Sequence, residues 1–112
     1  MRVLLDECVT NRLKPEFTEH DVFTIEDAGF KGLKNGKLLQ AASGKFDVFV
    51  TVDQNLQYQQ NLATIGLSII VLKAPRSTYP MLMPLMPKVL EILRTIKPGE
   101  VVLLVNPVVG DG

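Results

Sequence analysis

The sequence predicts an α/β fold: a mainly parallel sheet of four to five strands between layers of helix, a three-layer α/β/α arrangement. Three observations predict it. Short, continuous apolar runs recur along the chain, and such runs fit strands buried on both faces of a parallel sheet. Segments with helix signals alternate with them, which implies βαβ units, helices on both faces and right-handed crossovers. The length of 112 residues suits one domain, and 46% apolar residues supply its core.

The elements follow in order. Val3-Leu4-Leu5 reads as the first strand and runs into Asp6-Glu7. Thr10 is expected to cap a short helix over Asn11–Glu16, which Pro15 weakens by removing a backbone donor. Val22–Ile25 is the second strand. Glu26-Asp27 open a short helical turn that Gly29 ends. Residues 30–36 form a loop rich in lysine and glycine, and Asn35 is expected to cap a helix through Gly36–Ser43. Leu38, Leu39 and Ala42 share one face of that helix. Asp47–Val52 is the clearest strand and ends at Asp53, followed by a polar helix or turn over Gln54–Leu62. Leu67–Leu72 is a fourth strand. Segment 74–87, with four prolines, reads as an irregular loop. Pro87 suits the first turn of a helix over about Lys88–Ile96, and Glu100–Val105 is the last strand. The domain is expected to span 1–106, with 107–112 as a tail.

Composition narrows the function classes. The formal net charge is zero, which argues against strong non-specific nucleic-acid binding and leaves room for a local basic patch from Lys31, Lys34 and Lys37. Trp is absent, so an aromatic base-stacking platform is not expected. The single cysteine, Cys8, allows no internal disulfide and fits a reducing cytoplasm; it reads as a buried structural thiol. His20 is the one histidine, which rules out a His-based metal cluster. The opening MRVLLDEC carries no secretory signal pattern, and apolar runs 67–72 and 101–105 are too short to cross a membrane.

The strongest functional signal is a pair of acids. Doubly wound sheets bind ligands beyond the carboxyl ends of their strands, where the strand order reverses. In the order 2-1-3-4-5, strands 1 and 3 are neighbours at that point. Asp6 closes strand 1 and Asp53 closes strand 3, so their carboxylates are expected to share one crevice. Paired carboxylates repel, and a hard divalent cation such as Mg²⁺ or Mn²⁺ relieves the repulsion through oxygen ligands. Glu7 and Asn55 lie within two residues of these strand ends and can add oxygens.

At these residues the sequence resembles the short PIN-like proteins of the DUF5615 type, relatives of the PIN-domain nucleases and of the Mut7-C group. Leu4-Leu5-Asp6-Glu7, His20-Asp21-Val22, Gly32-Leu33-Lys34-Asn35-Gly36 and Phe46–Asp53 carry the resemblance. The most distinctive stretch is Asn55–Leu62. The resemblance implies a PIN-like fold, an acidic metal site with Asp6 and Asp53 as core Mg²⁺ or Mn²⁺ ligands, and ribonuclease activity, often in a toxin–antitoxin setting. Relatives place an acid at the start of the second helix, where this chain reads Asn35-Gly36-Lys37. Glu26 or Asp27 are the acids that stand in reserve.

Three readings follow. The first is a metal-dependent nuclease, a phosphodiester hydrolase acting on RNA. Asp6 and Asp53 hold the cation, Glu7 orients water, Asn55 contacts a water or the substrate, and Arg12, Lys34 and Lys37 contact phosphates. The second is a PIN-like binding protein that has lost the chemistry, with a protein partner or a homodimer as its assembly. The Met/Pro-rich stretch Pro80–Pro87 offers the adaptable surface for it, or else covers the sheet. The third is a receiver-like phospho-acceptor domain, against which Lys73 and Asn106-Pro107 are misplaced.

Overall fold

Apolar strands too short to stand alone gain stability by pairing on both sides. The computed structural model, which describes residues 1–54 and 66–106 (Asn35 by its backbone), arranges five of them in one parallel sheet of order β2-β1-β3-β4-β5. The strands are β1 (Arg2–Leu5), β2 (Asp21–Thr24), β3 (Val48–Thr51), β4 (Ser68–Lys73) and β5 (Val101–Val105). The register pairs Leu4 with Phe49 and Phe49 with Ile69, so β1, β3 and β4 form the buried centre.

Alternation along these strands sends side chains to two cores. Val3, Leu5, Val48, Val50, Ile70 and Leu72 face one layer, which Leu13 and Phe17 cover from the amino-terminal half and Leu82, Leu85, Met86, Val89 and Leu93 from the carboxyl-terminal half. Leu4, Phe49, Ile69 and Val71 face the other, covered by Leu38, Leu39 and Ala42 together with Phe30 and Phe46. The three layers expected from the sequence are therefore present.

The helices differ from expectation in detail. Asn11–Glu16 is a 3-10 helix, capped as expected by Thr10, whose side chain accepts from the Arg12 amide. Pro15 inside it removes the donor that an α-helical ladder needs. Helix α1 runs from Asn35 to Ala42, so the cap position is Lys34 rather than Asn35, and Lys34 makes no side-chain capping bond. Gly44, at φ 81°, follows α1 in the left-handed conformation that glycine tolerates best.

The proline-rich segment is more ordered than the irregular loop its composition suggests. It forms helix α2 (Tyr79–Leu82), a 3-10 turn (Met83–Leu85) and helix α3 (Met86–Leu93). Each begins with a proline in its first two positions, where the missing amide has no intrahelical partner to lose. Helix α3 starts two residues before the expected Lys88 and ends at Leu93, with Thr95 and Ile96 continuing as a turn through amide bonds to Ile92. Leu82, Leu85 and Met86 are buried against the sheet, so this segment covers it, while Met83 is exposed. The buried Asn106 ties the end of β5 to α2 by donating to the Met81 carbonyl at 2.8 Å. The polar helix expected at Gln54–Leu62, apart from Gln54, and the tail at 107–112 lie outside the described residues.

One surface ion pair fastens the first crossover. The Lys14 ammonium donates to Asp27 Oδ2 at 2.6 Å, and that same oxygen accepts the Thr24 amide at 3.0 Å. The Lys14 hydrogen bond, then the Thr24 amide, hold the Asp27 carboxyl down at about 2. A depressed carboxyl stabilises the fold above its ordinary value, and that contribution is lost as pH falls through the folded value. The thermal midpoints of wild type and Asp27→Asn are expected to differ at neutral pH and to converge as the pH falls from about 4 towards 2. A gap that persists at pH 2 would assign the effect to packing instead.

Among the described residues, no helix is long and apolar enough to cross a membrane.

Candidate functional site

The site lies at the carboxyl ends of β1 and β3, the neighbours between which the strand order reverses. The β1–β3 ladder extends past the strands, with the Asp6 amide donating to the Val50 carbonyl at 2.9 Å. The register pairs Leu5 with Val50, so the next step sets Asp6 beside Thr51. Alternation then places Asp6, Thr51 and Asp53 on the α1 face of the sheet, in line with Leu4 and Phe49.

Thr51 joins the two acids. Its fully buried hydroxyl donates to Asp6 Oδ2 at 2.7 Å and accepts the Asp53 amide at 3.0 Å. The other Asp6 oxygen accepts the Glu7 amide at 2.8 Å. Both half-buried acids line one cleft of about 380 Å³, together with Glu7, Lys31, Lys34 and the apolar residues Ile25, Leu33, Leu38 and Phe49. Asp6 and Asp53 thus border one crevice.

Thr51 was not among the residues that sequence reasoning selected, although a signal existed. It is the lone polar residue within Val48–Thr51, and strand alternation aligns it with Asp53. Thr51→Val keeps the shape and removes the hydroxyl, leaving a carboxylate oxygen and an amide each short of a partner. Stability is expected to fall by about 1–3 kcal/mol. Hydrogen exchange at the Asp53 amide should quicken, with Thr51→Ser close to wild type. Equal exchange in the Val and Ser variants would remove Thr51 from the site's support.

Cys8 departs from its expected role. It is exposed, with Sγ donating to Asp6 Oδ2 at 3.3 Å and lying 3.7 Å from the Thr51 hydroxyl. Partial desolvation and the Asp6 charge raise its pKa, against hydrogen bonds from the Val52 backbone and Thr51. The thiol sits beside the acids because the chain turns back just after β1, where the Val9 amide bonds the Asp6 carbonyl.

The remaining selected residues are spread more widely. Glu7 is exposed and lines the cleft as well as a second one beside Thr10, Asn11 and Glu26. Lys34 lines the main cleft. Lys37 is exposed and does not line it. Arg12 stacks its guanidinium 4.4 Å from the centre of the Tyr79 ring, whose hydroxyl donates to Glu16, and borders neither cleft. Asp27 is engaged by Lys14 and Thr24, which takes it out of the acid set, while Glu26 borders the second cleft. Asn55 lies outside the described residues.

The donor set decides what a cation meets here. Among the described residues, no group of three or more His, Cys, Asp or Glu side chains is gathered closely enough to hold a metal ion. Two carboxylates in one cleft nevertheless suit Mg²⁺, which keeps several waters and binds through one or two carboxylates plus substrate phosphate. The two carboxylates offer the oxygen donors that suit Mg²⁺ or Mn²⁺, with the softer Cys8 thiol beside Asp6. Comparison with protein-family models, with curated proteins and with solved structures found no match for this chain.

Proposed function

We propose that the protein is a PIN-like, divalent-metal-dependent phosphodiesterase that acts on RNA. The observation that carries this reading is the shared cleft of Asp6 and Asp53, braced by one threonine hydroxyl at the switch point of a parallel sheet. Asp6 and Asp53 would hold the cation, which when bound supplies Lewis-acid polarisation of the phosphoryl group. Thr51 holds the Asp6 carboxylate and the backbone of Asp53. Glu7, exposed at the rim, is placed to hold a water or take its proton, and Lys34 to neutralise a phosphate. The resemblance to toxin ribonucleases makes an antitoxin protein the fitting partner, in a reducing cytoplasm.

A second reading, a binding protein without turnover, draws on a specific observation: among the described residues, the α1 side of the cleft is bordered by Lys31 and Lys34 and by no acid. Activity separates the two. The purified chain is expected to cut single-stranded RNA with Mg²⁺ or Mn²⁺, to stop when a chelator is added, and to resume when the metal is restored in excess. No cleavage with either metal would favour the binding reading, and cleavage that survives chelation would overturn the metal-dependent one.

A further inference from the structure

Lys31 and Lys34 enter the same cleft as three carboxylates, yet among the described residues neither forms an ion pair; the Lys14–Asp27 pair lies outside the cleft. Both ammonium groups are exposed. Lys34 also occupies the cap position of α1 without capping it, so the positive end of that helix adds to the same wall. Gly32 sits between them at φ 91°, a conformation that glycine adopts freely, and no atom comes within 4 Å of where a Cβ would be. The strand ends thus present acids, and the loop before α1 presents cations.

Apolar surface fills the space between. Ile25, Leu33, Leu38 and Phe49 line the cleft beside both walls. A volume of about 380 Å³ lies within the range of about 300–1,000 Å³ that small-molecule sites occupy. A ligand matching this lining carries one anionic group and one flat, apolar body.

We propose that the cleft takes one nucleoside monophosphate unit, with its phosphate on Lys31, Lys34 and the α1 terminus and its base against the partly exposed Leu33. This deepens the phosphodiesterase reading and rests on it for the role of the cleft as the substrate site. The binding itself relies on the protein's own cations, so it persists without metal. The acidic end stays available for the divalent ion.

The test is a calorimetric titration of the full chain, in metal-free buffer, with AMP, UMP, ribose 5-phosphate and inorganic phosphate. The nucleotides are expected to bind about tenfold more tightly than ribose 5-phosphate, the gain coming from the base. The double variant Lys31→Ala/Lys34→Ala is expected to weaken nucleotide binding about tenfold or more without weakening Mn²⁺ binding. Asp53→Asn should retain the nucleotide and lose Mn²⁺. No nucleotide binding in the millimolar range, equal affinity for all four ligands, or a double variant with wild-type affinity would each overturn the proposal. If nucleotides bind as described while no RNA is cut with either metal, the phosphodiesterase reading fails and the nucleotide site stands.

Discussion

Asp53→Asn is expected to lower Mg²⁺- or Mn²⁺-dependent RNA cleavage at least about a hundredfold while leaving the protein folded. Losing a hydrogen bond that supports a metal ligand costs about 10–100-fold in affinity or activity, and here a ligand itself changes. The substitution keeps the size of the side chain and removes its charge. It also leaves the Asp53 amide, which bonds the Thr51 hydroxyl, in place. Asp6→Asn is a less clean probe, because Asp6 accepts from the Glu7 amide, the Thr51 hydroxyl and the Cys8 thiol. A variant amide there would turn a donor towards one of them. Cleavage rates at saturating metal, with circular dichroism to check the fold, decide the matter. A variant that cuts as fast as wild type takes Asp53 out of the site.

The largest loss of stability is expected at Phe49. It is fully buried on β3, the central strand, paired in register with Leu4 on one side and Ile69 on the other. Its ring packs among Leu38, Leu39 and Ala42 of α1, and it also lines the floor of the cleft. Phe49→Ala removes that packing and leaves a cavity, at a cost of about 3–5 kcal/mol. Against a typical total of about 5–15 kcal/mol, this brings the protein near its unfolding threshold. Urea denaturation should show the midpoint falling by about 2 M. The exposed Lys37→Ala change should stay within about 0.5 kcal/mol of wild type. A Phe49→Ala loss below about 1 kcal/mol would mean that Phe49 is not packed in the α1-side core as described.

The sheet was legible because its strands are continuous apolar runs, and burial on both faces leaves few other ways to read them. Val3–Leu5 and Asp47–Val52 were each placed within a residue or two of β1 and β3. The acids were legible for the same reason: Asp6 and Asp53 are the charged residues at which those runs stop. The support around them was not. Thr51 looks like an ordinary strand residue until the β1–β3 register places it beside Asp6, and register is a tertiary property. Cys8 reads as buried from its residue type, yet it is exposed because the chain turns immediately after β1. The segment around Tyr79–Leu93 misled through its prolines, which here stand at helix starts where they do no harm. Arg12 carries a charge suited to phosphate, but the Tyr79 ring offers it a nearer contact.

The most direct measurement is a crystal structure of the protein soaked with Mn²⁺, read by its anomalous signal. A single peak between the Asp6 and Asp53 carboxylates, within direct or water-bridged reach of both, is the expected result. Anomalous density beside one acid alone, or at another place on the molecule under saturating Mn²⁺, would contradict it.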